Sequence, residues 1–299
     1  MTTMSTAELP TRSALMVAAL REIGARETNP AHRNPDDLAQ TFLGEAERAL
    51  LAGLPVLEQL AAVQLPPIGE NRAALVHMLR TRHIDTVLEN SLRDGVRQVV
   101  ILGAGLDTRA YRFRERLVQT RVFEVDLPPT QAYKRRRILE VFGAVPEHVT
   151  FVPIDFTRQS LNQVLPEADW DRNKPTFFLW EGVSFFLTPE QVDDVLHFVS
   201  KESASTSQIL FDYLEWRLVR GEHDDELWRH YVRVVETWGE RFNFGIDECA
   251  REAFLSDRGL HLRSDATTGE LLARYCPDLS PAGLGVARTA YHFCLASVN

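Results

Sequence analysis

Residues 97–126 read RQVVILGAGLDTRAYRFRERLVQTRVFEVD, and this stretch decides the fold. A short apolar run, Val99-Val100-Ile101-Leu102, ends in Gly103-Ala104-Gly105. An amphipathic segment follows from Thr108 to about Leu117, which predicts a helix. A second apolar run, Val122-Phe123, ends in the acids Glu124 and Asp126. Strand, glycine turn, helix, strand and acid form the opening unit of a nucleotide-binding doubly wound sheet. Gly103 and Gly105 lack a Cβ, so the turn can take positive φ and a ligand can approach the backbone. The free N–H groups of the next helix favour an anionic or polar ligand end. Asp126 lies 23 residues after Gly103 and Glu124 lies 21 after it, a spacing that suits a reader of ribose hydroxyls. Thr108 stands where a dinucleotide fold wants its third glycine, so the glycines alone do not decide which nucleoside is bound.

The sequence has 299 residues, enough for one large α/β domain or two small ones. Its hydrophobic content of 44% and charged content of 25% are those of an ordinary soluble globular protein. No apolar run approaches the ~20 residues that span a bilayer. The start, MTTMSTAELPTRS, has no basic segment followed by an apolar core, so no secretory signal is expected. Cys249, Cys276 and Cys294 show no metal spacing and read as reduced thiols of a cytoplasmic protein. The net charge of −9 argues against nucleic acid as the main partner. The basic cluster Lys134-Arg135-Arg136-Arg137 reads as a solvated helix face.

Around the central stretch, residues 1–92 read as a helical cap and 93–299 as the core. Ser13–Ile23 is amphipathic, and Asn34-Pro35-Asp36-Asp37 carries a cap, a proline and acids that predict a helix start. Ala46 to Val63 is helical with breaks at Gly53 and Pro55, and Asn71 to Leu92 is a longer helix. Strands are predicted at 98–102, 121–125, 149–152, 176–180 and 207–213, with helices between them, as in a mostly parallel doubly wound sheet. Thr188-Pro189-Glu190-Gln191 starts a helix. Residues 214–245 hold many aromatics and read as a helical insertion over the carboxyl edge of the sheet, whose rings either pack on the core or wall a substrate site. Asp247 starts a helix that stops near Gly259, and Leu260–Arg263 with Tyr291–Ala296 predict an antiparallel edge pair.

Each predicted strand ends in a polar signal. After the glycine turn and the Glu124/Asp126 pair come Asp155-Phe156, Glu181-Gly182 and Asp212-Tyr213. Acids at strand tips suit ribose hydroxyls, an adenine amino group and an α-ammonium, whereas several phosphates would want lysine or arginine. This tilts the nucleoside from a dinucleotide toward S-adenosyl-L-methionine. The strings VVILGAGLDTRAYRF, FEVDLP, VPIDF and FFLWEGVSFFLTPE, with Arg80-Thr81-Arg82 and Asp85 upstream, resemble the leucine carboxyl methyltransferase family. They are most similar to its bacterial branch of S-adenosylmethionine-dependent methyltransferases, which includes polyketide carboxyl- and O-methyltransferases. The resemblance runs from about Arg80 to Tyr213; residues 1–70 and 214–299 match in general character only.

The resemblance implies a role for each matching residue. Arg80, or its rival Arg82, would pair with the cofactor's carboxylate, and Gly103, Ala104 and Gly105 would admit the methionine moiety. Asp126 would hold the ribose, with Glu124 in support. Asp155 would meet the adenine amino group beside Phe156, and Glu181 would face the ammonium. Either arginine could instead pair with Asp85 on a helix surface, Asp107 reads as a helix cap, and His77 and His83 read as surface or packing residues. No metal cluster and no serine-type triad are present in the sequence. The implied reaction is methyl transfer to a carboxylate or hydroxyl of a small molecule, such as a polyketide or other secondary metabolite. A carboxylate needs no general base; a hydroxyl does, with Tyr213 and His83 as the candidates. An NAD(P)-dependent oxidoreductase and a non-catalytic cofactor-binding homologue are the alternatives. Neither the acceptor nor the oligomeric state is legible.

Overall fold

Short β-branched and aromatic runs give most of the seven strands found among the described residues, all in a single sheet. The computed structural model describes residues 10–62, 66–156 and 158–298. The expectations for residues 1–9 and for Val63 lie outside them. Strands β1 (Gln98–Leu102), β2 (Arg121–Asp126), β3 (Val149–Pro153), β4 (Thr176–Trp180) and β5 (Gln208–Leu214) are mutually parallel. β6 (Leu260–Thr267) and β7 (Tyr291–Val298) are antiparallel to their neighbours. The order is β3-β2-β1-β4-β5-β7-β6, so β7 slots between β5 and the edge strand β6. The order reverses at β1, whose neighbours are β2 and β4, and a doubly wound sheet opens its ligand crevice there.

Alternate residues of the sheet feed two cores, as the two-residue period of a strand requires. One face carries Val99, Ile101, Phe177 and Leu179 and packs on α1 (Arg12–Ala25), α4 (Arg72–Arg93) and α12 (Thr268–Tyr275). The other carries Val100, Leu102, Phe178 and Trp180 and packs on α7 (Leu161–Glu167), α8 (Pro189–Glu202) and α11 (Arg251–Ser256). α8 starts in the expected capping box of Thr188 and Gln191. Asn71 caps α4 by accepting from Ala74 N at 3.1 Å. The 46–63 segment splits at Gly53 into α2 (Glu45–Leu50) and α3 (Pro55–Ala61), and α6 (Pro128–Phe142) crosses from β2 to β3. The insertion contains α9 (Trp216–Val219) and α10 (Glu226–Thr237). A four-residue α13 (Ala287–Ala290) precedes β7. No helix among the described residues is long and apolar enough to cross a membrane.

Three local expectations are corrected. The helix expected over 108–117 shrinks to α5 (Arg109–Arg112), because Arg109 and Arg112 turn inward to pair with Asp85 of α4. Asn34–Asp37 starts no α-helix. Asn34 instead closes a turn by accepting from Asp36 N at 2.9 Å, and Asp36 is buried against the Thr108 hydroxyl at 2.7 Å. Lys134 does not belong to a solvated face. Its ammonium is buried and lies 2.9 Å from Glu124 Oε2.

That Glu124–Lys134 pair ties α6 to the middle of the sheet. Burial pushes the Glu124 carboxyl up to about 7, against the pull of Lys134. Glu124→Leu strands a buried ammonium and is expected to cost ~3–5 kcal/mol in urea denaturation, most of which a second change, Lys134→Met, restores.

Candidate functional site

The crevice at the β1/β4 switch point opens into a cavity of about 670 Å³. That volume lies within the range of small-molecule sites. At one end it is lined by the glycine turn after β1, by Asp126 at the tip of β2, by Phe156 after β3 and by Glu181 after β4. At the other end stand α1, α3, α4 and the insertion, with Phe185, Phe186, Trp228, Tyr231 and Phe242 as an aromatic wall.

The glycine turn has the backbone that its sequence requires. Gly103 has φ +64° and Gly105 φ +41°, where a side chain would be strained. A Cβ on Gly103 would also lie 2.5 Å from Val183 Cγ2, so the loop after β4 shares the demand for glycine. Asp126 fastens the turn: its Oδ2 accepts from Gly105 N at 2.5 Å and its Oδ1 from Leu127 N at 2.6 Å. Burial raises its pKa, while those two N–H groups hold the charge. Asp155 stands just outside the cavity lining at the end of β3, with Arg158 Nε 3.6 Å from its Oδ2.

Behind the turn lies a buried ionic network, with Glu181 as its junction. Glu181 Oε1 accepts from Arg21 Nη2 of α1 at 2.7 Å and lies 2.7 Å from Arg80 Nε of α4. Its Oε2 accepts from Arg109 Nη1 at 2.6 Å. Burial alone would raise the Glu181 pKa, but Arg21, Arg109 and Arg80 together hold it well below the usual carboxylate range. Arg80 Nη1 also donates to the Tyr291 hydroxyl at 2.8 Å, and Tyr291 donates to Asp212 Oδ2 at 2.5 Å. Asp212 Oδ1 accepts from Gly182 N at 2.7 Å. Asp107 accepts from Arg109 N at 2.6 Å, a turn-capping role, and also pairs with the Arg109 guanidinium. Burial opposes the charge of Arg80, yet Tyr291, Glu181 and Asp212 raise its pKa.

The structure therefore brings Arg80, Gly103, Ala104, Gly105, Asp126, Phe156 and Glu181 to one cavity. It does not bring the others there. Arg82 points off α4 and donates to the carbonyls of Pro30 and Arg33. Glu124 is set back against Lys134 and Tyr111. Tyr213 faces the opposite core, donates to Asp265 at 3.2 Å and stacks on His292. His83 packs edge-on against Phe293, with neither ring nitrogen bonded among the described residues. Asp85 pairs with Arg109 and Arg112, and with neither Arg80 nor Arg82.

Sequence reasoning missed Arg21 and the cavity position of His77. Arg21-Glu22 interrupts the apolar run MVAAL and is buried, and an interrupted apolar face was the signal. Of the insertion aromatics, Trp228, Tyr231 and Phe242 line the cavity, while Trp216 and Phe244 pack on each other.

Burial and Arg274 push His83 down to about 4, so the folded chain refuses a proton that the unfolded chain takes near 6.5. Stability is then lost as pH falls from 6.5 toward 4. His83→Leu is expected to reduce the slope of unfolding free energy across that window by about one proton, read from denaturation midpoints at several pH values.

The leucine carboxyl methyltransferase family model matches residues 14–200, well over half of the chain. YktD of Bacillus subtilis (strain 168), provisionally named an S-adenosyl-L-methionine-dependent methyltransferase, is 33% identical over 215 residues, 70% of this chain and 67% of YktD. A Mycobacterium marinum protein with the same provisional name is 32% identical over 271 residues, 84% of this chain and 80% of the relative. A crystal structure of a provisionally named methyltransferase from Thermobifida fusca YX superposes with a TM-score of 0.56 at 16% identity, covering 98% of this chain and 96% of that one. At that identity the likeness speaks for the fold alone. With the strand order and the glycine–aspartate crevice already in place, these matches make the chain a member of the leucine carboxyl methyltransferase family and an S-adenosyl-L-methionine-dependent methyltransferase.

Proposed function

We propose that this enzyme transfers the methyl group to an oxygen, a carboxylate or a hydroxyl, of a small molecule such as a polyketide or other secondary metabolite. One observation carries the reading: a single cavity joins the glycine–aspartate crevice to an aromatic wall. Cofactor and acceptor can therefore meet without passing through solvent.

The residues at the crevice fit the cofactor. Asp126 keeps lone pairs beyond the two it gives to the backbone, which suits ribose hydroxyls. Phe156 offers a ring face for adenine, and Asp155 beside it offers an acceptor for the amino group. Among the described residues nothing accepts from Arg80 Nη2, which suits a carboxylate. Glu181, already shared by three arginines, holds those guanidiniums in place and lends negative charge to an ammonium. Bound there, S-adenosyl-L-methionine supplies a methyl group activated on a sulfonium. The protein's part is to position the acceptor oxygen and keep the site dry. The helices before residue 93 act as a cap, and 214–245 acts as a lid over the 93–299 core.

The nicotinamide alternative is not favoured. Thr108, at the third-glycine position, is committed to Asp36. Calorimetric titration is expected to show binding of S-adenosylhomocysteine and none of NADH or NADPH. Asp126→Ala is expected to weaken S-adenosylhomocysteine by ~1–3 kcal/mol; unchanged affinity would take Asp126 out of the site. Incubation with aromatic acids and phenols, read by mass spectrometry for a methyl adduct, separates an enzyme from a non-catalytic homologue.

A further inference from the structure

We propose that the acceptor is a hydroxylated aromatic compound and that His77 takes its hydroxyl proton during methyl transfer. This deepens the methyl-transfer reading and rests on it.

Charge selects the hydroxyl over the carboxylate. The cavity lining carries the acids Glu70, Asp107, Asp126, Glu181 and Glu240 against Arg21, Arg72 and Arg80. All three arginines are already paired: Arg21 and Arg80 with Glu181, and Arg72 with both oxygens of Asp225, at 2.7 and 2.6 Å. No lysine lines the cavity among the described residues. At the acceptor end a carboxylate would meet Glu70 and Glu240, and Arg72, the arginine lining that end among the described residues, is already held by Asp225. A neutral hydroxyl brings no charge, but it must lose a proton as the new bond forms.

His77 is placed to take that proton. It lines the cavity from α4, one turn before Arg80. Neither ring nitrogen has a hydrogen-bond partner among the described residues, and Nδ1 is fully buried. Burial, with Arg80 and Arg21, holds its pKa well below 6.5 against the opposing pull of Glu181. The ring is then neutral at neutral pH and free to accept. Of the other titratable side chains lining the cavity, the two tyrosines do not compete, whereas His230 and Glu240, whose Oε2 has no partner among the described residues, are the rival bases. Burial pushes the Tyr231 hydroxyl up to about 12 and raises Tyr291, so both stay protonated. Glu240 gives Oε1 to the Ser13 hydroxyl at 2.8 Å, and burial raises its pKa.

The wall selects the ring. Phe186 and Phe242 stack at 5.1 Å, and Trp228 stacks on Phe242 at 5.9 Å. Trp228 Nε1 and Glu240 Oε2 are buried without partners among the described residues, one donor and one acceptor for further polar groups on a flat acceptor. In the step, the acceptor O–H bond breaks with its proton passing to His77. The oxygen lone pair forms the O–CH₃ bond as the methyl–sulfur bond breaks, and that bonding pair stays on sulfur. His77 then returns the proton to water.

The test uses the full chain with S-adenosyl-L-methionine and a matched panel: catechol, para-nitrophenol and a hydroxynaphthoquinone against benzoate, para-nitrobenzoate and a naphthoate. Wild type is expected to methylate the hydroxyl set only. His77→Gln is expected to lower kcat by ~10²–10⁴-fold with S-adenosylhomocysteine affinity unchanged. The wild-type profile should fall only on an acid limb below pH 6.5, whereas the variant should lack that limb and gain activity as pH rises and the phenol ionises. Methylation of the carboxylates alone, or of neither set, overturns the acceptor class. A variant that keeps kcat overturns the role of His77. Absence of S-adenosylhomocysteine binding by wild type instead sinks the methyl-transfer reading beneath both.

Discussion

The structure depends on the burial of Glu181 among three arginines. A lone carboxylate at this depth would give up its charge, because desolvation costs far more than a single weak contact returns. Here Arg21, Arg80 and Arg109 each bring a charge-assisted contact at 2.6–2.7 Å, and each is held from behind by a second acid. Four arginines (Arg21, Arg80, Arg109, Arg112) face five acids (Asp36, Asp85, Asp107, Glu181, Asp212). The network is one negative charge in surplus. A buried surplus of that sign attracts a cationic ligand, and the sulfonium cofactor is one. The same groups that lock the fold therefore bias the crevice toward a cationic ligand.

The network also explains where local sequence signals failed. Asn34–Asp37 has the residues of a helix start, but Asp36 is worth more paired with Thr108 and Arg21 than capping a helix at the surface. The 108–117 segment has helical periodicity, but two of its arginines are drawn inward to Asp85. Lys134 sits in a basic run that resembles a solvated face, yet Glu124 pulls it inside. In each case a buried polar contact with another element outweighed a local preference of about 1 kcal/mol. Partners separated by 72, 132 and 160 residues leave no periodic trace in a sequence. The strands, by contrast, were legible to within about two residues at most ends, because apolar runs closed by turns are local signals. The edge pair was placed correctly but ran longer, as far as Thr267 and Val298.

The site was legible where backbone motifs specify it and illegible where side-chain direction decides. Gly103, Gly105, Asp126 and Phe156 follow from strand ends and a glycine turn, and all reach the cavity. Arg80 and Arg82 are two residues apart on α4, about 200° around the helix, so only one can face the crevice. The sequence does not say which; Glu181 and Asp212 do, by holding Arg80. Asp212 and Tyr213 alternate across β5, so the acid that joins the network sends the tyrosine to the other core. His77 shares the Arg80 face of α4, whereas His83 lies under Phe293 of β7.

α4 thereby becomes the ruler of the site. Arg80 anchors it to the strand tips at the crevice end. Eight residues earlier, about 12 Å along the axis, Arg72 holds Asp225, the residue that caps α10 by accepting from Trp228 N at 3.0 Å. The Asp225 carboxylate also accepts from Val286 N, so the loop before β7 is fastened at the same point. Ser13 of α1 holds Glu240 at the far end of the insertion. The aromatic wall is thus suspended from the helix that sets Arg80. In-line displacement tolerates little error in the angle and distance between donor and acceptor. Both anchors stand on one helix, with His77 between them, so helix geometry fixes the spacing between the crevice and the wall.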